Sequence, residues 1–306
     1  MSDSYHPNMD EWLTELAPQL RALVELAATD GHITGSAAAL GVPQSSMSRR
    51  IHALEAALAV PLVVRDGRTV RLTPRAIDLA EQIRGPLREV EAALAQAAVG
   101  VDPEHGTVRF GFPLTLGVGV LPALLAEFRH RHPGIRLELR QAHGAALVDD
   151  LRRGTLDLAV TIPPPTDLPY EFLTTQEVCV AMPDDHRLAG QGTVRLEELV
   201  DEEFIANPPS YHLRQITERW CRDAGFVPSV GIEVTEFATI RDFVRRGLGV
   251  ALLPPVGRRF RGIVEKSLSG GDHTRAIALT SATTTLGPAT ELLSEFIRDR
   301  GLVPTA

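Results

Sequence analysis

Four residues between positions 44 and 49, Gln44, Ser45, Ser48 and Arg49, carry side chains suited to reading the edge of a base pair. Gln44 offers an amide that donates and accepts, the serines supply short hydroxyls, and the Arg49 guanidinium can fork onto guanine O6 and N7 in a major groove. On a helix, Ser45, Ser48, Arg49 and His52 share one face, and no acidic residue interrupts them before Glu55. Between Gln44 and Arg75 stand six arginines (Arg49, Arg50, Arg65, Arg68, Arg71, Arg75) against two acids (Glu55, Asp66). That window is net +4 in a chain of net charge −8. Positive charge gathered on one short segment is what phosphate contact requires, and Arg68 and Arg71 within it are expected as further DNA contacts.

These side chains need a rigid carrier. Residues 33–52 read as helix, turn, helix. Ile33, Ala37, Ala38 and Leu40 give the first helix an apolar face, Gly41 ends it with positive φ, and Pro43 opens the next. Met47, Ile51, Leu54 and Leu58 recur at steps of four, three and four and bury the other side of the second helix. An ordinary αα-hairpin with a solvated polar face has the same pattern, so the neighbouring segment decides between them. Residues 60–73 form two β-rich runs around Asp66-Gly67, a hairpin beside the helix. Upstream, residues 1–15 read as a polar extension with a short helical piece near Trp12, and a supporting helix begins at Pro18. Downstream, Thr73-Pro74 starts a helix over 76–98. In it Ile83, Leu87, Val90, Leu94 and Ala97 form a coiled-coil seam that suits either a second copy of the chain or packing on the chain itself, and Gly85-Pro86 predicts a kink. Residues 99–106 are a hinge by composition.

A second group of residues suits a small molecule. From 107 onward strands and helices alternate: strand 107–112, helix 116–130, strand 136–141, helix 145–153, strand 156–162, then a second alternating set from 178 to 280. This predicts βαβ units, parallel sheets and two lobes, with the helix over 289–300 returning to the first. Lobe 1 is expected over 107–177 and 281–306, lobe 2 over 178–280. Ligands of such sheets bind beyond the carboxyl ends of the strands, near helix N-termini. Those loops hold Leu114, Thr115, Leu116, His143, Ile162, Asn207, Phe237 and Thr239. A hydroxyl at a helix start, as at Thr115, can hold an anion or merely cap the helix. Hydroxyls, an amide and an imidazole without a buried acidic cluster favour a polar or anionic metabolite.

At 306 residues the chain has room for two or three domains, and its 44% hydrophobic content is ordinary. Cys179 and Cys221 form no metal spacing, so no metal or other cofactor is expected. The N-terminus lacks a basic signal region and no apolar run reaches membrane length, which predicts a soluble cytoplasmic protein without membrane contact. Gly117-Val118-Gly119 and Gly247-Leu248-Gly249 lack the third glycine of a dinucleotide loop, and no nucleophile elbow, Walker loop or zinc motif occurs. An enzyme is not expected. The last two-thirds alone would also suit a two-lobed solute-binding protein, which leaves the basic window unexplained.

The run Gly31, Ala37-Ala38, Leu40-Gly41-Val42, Gln44, Ser48-Arg49, Ile51, Leu54-Glu55, Val60-Pro61-Leu62, Arg65 and Leu72-Thr73 resembles the winged helix-turn-helix of LysR-type transcriptional regulators. Looser likenesses occur at Leu121-Pro122, at Gly154 with 156–160, and at 247–254. The chain departs from the pattern at Val64, usually aromatic, and at Ala59 and Ala76, usually glycine. The resemblance implies an α/β protein with a winged helix-turn-helix over 16–75, a linker helix and a two-lobed, periplasmic-binding-protein-like effector domain over 107–306. It places Gln44, Ser45, Ser48, Arg49 and Arg65 against DNA and the turn at Thr115 in an effector pocket. It implies an imperfect inverted repeat in a promoter, a homodimer or homotetramer, and RNA polymerase as a further partner.

Overall fold

The computed structural model describes residues 9–66, 69–97, 102–117, 119–255 and 260–302, in two compact units that divide between Leu94 and Ala95.

The first unit is a three-helix core with a hairpin. Helix α1 (Met9–Ala28) starts well before Pro18, correcting the expected boundary there. An internal proline costs ~3 kcal/mol, but buried Leu16, Ala22, Leu23 and Leu26 pack in one cluster with Met47, Ile51 and Leu54, which offsets it. Helices α2 (Ile33–Ala39) and α3 (Gln44–Leu58) form the helix-turn-helix, with Gly41 at φ +63° between them. Strands β1 (Val63–Asp66) and β2 (Thr69–Leu72) pair antiparallel from Val63 opposite Leu72 to Asp66 opposite Thr69, the hairpin expected around Asp66-Gly67. Gly31 lies at φ +85°, and a Cβ there would stand 2.5 Å from the Val70 carbonyl oxygen, so only glycine lets the α1–α2 turn approach the hairpin. Helix α4 (Pro74–Ala97) opens with the Thr73 hydroxyl accepting the Ala76 N–H at 3.2 Å and runs unbroken through Gly85-Pro86. Ile83 packs on the unit's own core, whereas Val90 and Leu94 are 56% and 65% exposed.

The second unit has two lobes. Lobe 1 is built on β3 (Gly106–Pro113), a short 3-10 turn (Leu114–Leu116), α5 (Val120–Arg131), β4 (Ile135–Ala142), α6 (Gly144–Arg152), β5 (Leu158–Thr161) and β6 (Tyr170–Glu177). Lobe 2 holds β7 (Cys179–Pro183), β8 (Thr193–Arg195), β9 (Glu203–Ala206), α7 (His212–Asp223), β10 (Ser229–Glu233), α8 (Phe237–Arg245), β11 (Ala251–Leu253) and β12 (Ile263–Ser269). The chain then returns through β13 (Thr274–Ser281) and α9 (Pro288–Arg300). The lobe 1 sheet has the order β4-β3-β5-β13-β6; β3 is parallel to β4 and β5, but β13 is antiparallel to β5 and β6.

Two expectations are therefore corrected. The sheets are mixed rather than parallel, since lobe 2 also pairs β7 antiparallel with β11 and β12, beside the parallel pair β9-β10. Strand β13 belongs to lobe 1, although the alternating pattern puts 274–280 in lobe 2; its partner β5 lies more than a hundred residues earlier, a pairing that local pattern does not carry. The two connections between lobes, from β6 to β7 and from β12 to β13, run side by side and are tied by the Val178 N–H donating to the His273 carbonyl at 2.9 Å. Among the described residues no helix is long and apolar enough to cross a membrane.

The end of α3 is strained where the familiar glycine is missing: Ala59 has φ +52°, ψ +35°. That conformation costs an L-residue about 1 kcal/mol. Ala59→Gly should raise the stability of the first unit by about 0.5 kcal/mol once the extra freedom of the unfolded chain is counted. Urea unfolding followed on that unit checks it; a lowered midpoint would show that the turn carries no such strain.

Candidate nucleic-acid interface and ligand cavity

Helix α3 presents the predicted face. Met47, Ile51 and Leu54 are buried, while Gln44, Ser45, Arg49 and His52 are exposed and Ser48 is half-buried on the same side. The Arg49 Nη2 rests 3.2 Å from the Ser46 hydroxyl, an exposed contact that a base edge could replace. Glu55, the nearest acid, is turned to structure. Its Oε1 accepts the Leu62 and Val63 N–H groups at 2.8 and 3.1 Å, and its Oε2 pairs with His52 Nδ1 at 2.9 Å. Burial alone would raise its pKa, but these bonds outweigh burial and hold the carboxyl below its ordinary range. One carboxylate thus fastens α3 to the hairpin and leaves the outward face cationic. Arg71 is exposed on β2; Arg65 sits on β1 with its side chain outside the described residues, as is all of Arg68.

The second unit contains a cavity of about 440 Å³ between its lobes. Of the candidate ligand residues, Leu114, Thr115, His143, Ile162 and Phe237 line it, and Leu116, Asn207 and Thr239 do not. Leu116 packs against the lobe 1 core. Asn207 is buried, its Nδ2 donating to the Val234 and Thr235 carbonyls at 3.0 and 3.3 Å, so its amide is spent tying β9 to β10. Thr239 is exposed in the first turn of α8, outside the lining. Thr115 is present for a different reason from the one expected. It lies in the 3-10 turn, five residues before α5, and its hydroxyl accepts from Arg275 Nη2 at 2.9 Å. His143 caps α6, with Nδ1 accepting the Ala146 N–H at 3.4 Å, and its ring lies 5.4 Å from that of Tyr211.

Arg275 and His212 do not stand out in the sequence. Arg275 is 7% exposed; its guanidinium donates from Nε to Gln176 Oε1 at 2.9 Å and to Thr115, both neutral oxygens. Burial pushes it down to about 9, so it remains charged at neutral pH. His212, first residue of α7, has a buried Nδ1 with no hydrogen-bond partner. Burial, then the charges of Arg275 and Arg219, push its pKa down to about 4, so it is neutral. A sequence signal for Arg275 exists: it shares the inward parity of Ile277 and Leu279 on β13, where a charged residue is out of place unless it has work to do. Cys179 and Cys221 are buried, and burial pushes both thiols up to about 12, which leaves them un-ionised and poorly nucleophilic.

Residues 18–77 match the model of the bacterial regulatory helix-turn-helix protein, lysR family, and residues 102–302 match the LysR substrate binding domain. The chain belongs to the LysR family of transcriptional regulators: it is a DNA-binding regulator with an effector-binding domain. It is 34% identical to the transcriptional dual regulator GltC of Bacillus subtilis, over 77% of this chain and 79% of that one. It is 33% identical to a probable hydrogen peroxide-inducible genes activator of Mycobacterium avium, over 77% and 76%. Its fold superposes on full-length OxyR of Pseudomonas aeruginosa with a TM-score of 0.78 at 25% identity, covering 96% of each chain. These relatives are regulators, which sets aside the solute-binding alternative.

The depressed pKa of His212 has a thermodynamic consequence. Between its ordinary value of 6.5 and about 4, the unfolded chain takes up a proton that the folded chain refuses, so stability falls as pH drops through that window. His212→Gln should flatten this part of the stability–pH curve of the second unit. An unchanged slope in urea unfolding between these pH values would show that His212 titrates normally.

Proposed function

We propose that this regulator binds an imperfect inverted repeat as a dimer, with Gln44, Ser45, Ser48 and Arg49 at base edges and Arg65, Arg68 and Arg71 on the backbone and in the wing. The observation that carries this reading is the outward face of α3, exposed, cationic and kept clear of carboxylate by the tether of Glu55. Bare Val90 and Leu94 on α4 support pairing of two linker helices, since a partner stripe would cover them. Dimers joining into tetramers, and contact with RNA polymerase, extend the same reading, which places the protein in the cytoplasm with the DNA it binds.

The signal, on this reading, is a small polar or anionic metabolite in the cavity between the lobes. The buried cation of Arg275 supports it. A peroxide signal of the kind named for one relative finds less support, because sulfur oxidation starts from an accessible thiolate and neither thiol here is one.

Arg49→Ala tests the DNA face. It should cost ~1–3 kcal/mol on cognate promoter DNA and much less on random sequence, relaxing preference at one base pair. Anisotropy titrations at fixed salt measure both; equal loss on the two DNAs would remove Arg49 from the base contacts.

A further inference from the structure

Among the described residues, three arginines of the second unit have deeply buried side chains, and they differ in what neutralises them. Arg241 Nε meets Glu265 at 2.9 Å, and Arg214 meets Glu218 and Glu233 at 2.5 and 2.9 Å. Arg275 meets no carboxylate among the described residues; Gln176 Oε1 and Thr115 Oγ1 orient it without cancelling its charge. A buried cation left with neutral partners is unfavourable unless an anion arrives from outside. His212, lining the same cavity, offers a buried ring nitrogen with no partner. The acids on the cavity wall are already committed: Asp149 and Asp167 both pair with Arg152, at 2.9 Å each. Two carboxylates around one guanidinium give that side of the wall a net negative charge.

We propose that Arg275 is the seat of a single carboxylate of the effector, with His212 Nδ1 as its second polar contact, and that the acidic side around Asp149 and Asp167 selects monocarboxylates over dicarboxylates. This rests on the reading of the cavity as the effector site and adds the ligand class. The position also supplies a lever. Arg275 lies at the start of β13, which returns from lobe 2. Gln176 lies near the end of β6, which leads out to lobe 2, and the two residues are register partners. His212 belongs to lobe 2. A carboxylate held by both therefore joins the crossing strands to the far lobe and favours one arrangement of the lobes over others. The Thr115 hydroxyl positions the guanidinium rather than taking the anion itself.

The test uses the full-length protein and two matched pairs of probes, acetate with acetamide and benzoate with benzamide, plus succinate, all at constant ionic strength. Hydrogen exchange of segments 113–116, 211–215 and 273–277 is the readout. The expected result is protection by acetate and benzoate at millimolar concentration, weaker protection by succinate, and none by the amides. Arg275→Gln should weaken carboxylate binding about thirty-fold or more, and Arg275→Lys should retain part of it. Thr115→Val, which leaves the charge in place, should weaken binding less and serves if Arg275→Gln does not fold. Equal protection by acid and amide, or wild-type affinity in Arg275→Gln, would overturn the carboxylate seat and leave the cavity as the effector site. Succinate binding as tightly as acetate would overturn the preference for monocarboxylates. Protection confined to segments away from the cavity, or absent with every probe, would overturn both readings.

Discussion

A largely buried guanidinium at a cavity wall, hydrogen-bonded only to neutral oxygens, is the feature on which the second unit turns. Desolvating a charge costs several kcal/mol, and pairing with a carboxylate normally returns most of it. The chain has that solution available, since Arg214 and Arg241 both use it. At Arg275 the compensation is withheld, and Thr115 and Gln176 are spent on holding the group in one orientation. A site so arranged is less stable empty than it would be with a built-in acid, which is the usual relation between a binding site and the stability around it. Burial first, and then the same charge, depresses His212, so the two polar groups of the cavity are coupled to each other.

The first unit solves the opposite problem. Its face must stay cationic, yet α3 needs an anchor to the hairpin. Glu55 satisfies two backbone N–H groups at the entry to β1 and so converts an unwanted surface charge into a joint. Gly31 completes the joint from the other side by letting the α1–α2 turn meet Val70. Recognition helix and wing are thereby held as one body, and rigid carriage is what lets a few side chains discriminate bases.

Legibility in the sequence tracks the range of the interactions. The helix-turn-helix and the hairpin are local: steps of three and four, a glycine at positive φ and an Asp-Gly turn all lie within forty residues. The second unit is legible as alternating strands and helices, but the alternation puts β13 in the wrong lobe because its neighbours β5 and β6 are distant in sequence. The effector residues show the same limit. Strand-end loops do gather at the cavity, which brings in Leu114, Thr115, His143, Ile162 and Phe237. Polarity at a strand end does not separate Asn207, whose amide serves the backbone, from a ligand contact. Arg275 becomes visible only with its strand placed, since its meaning lies in the absence of an acid nearby.

An effector changes a regulator only through the difference between its affinities for two arrangements, and each tenfold difference is worth about 1.4 kcal/mol. Contacts made wholly within one lobe contribute nothing to that difference, however strong they are. Arg275 avoids this restriction through its cavity: it is held within lobe 1, by Gln176 and Thr115, but shares the cavity with His212 of lobe 2, so one ligand group can touch both lobes. An anion held by Arg275 and His212 together meets groups whose spacing depends on how the lobes are set, so the part of its binding energy that needs both contacts is differential. Apolar lining residues such as Leu114 and Phe237 would set how tightly a ligand body fits. On the proposed reading, a carboxylate bridging that charge and His212 is what turns binding into a change of state.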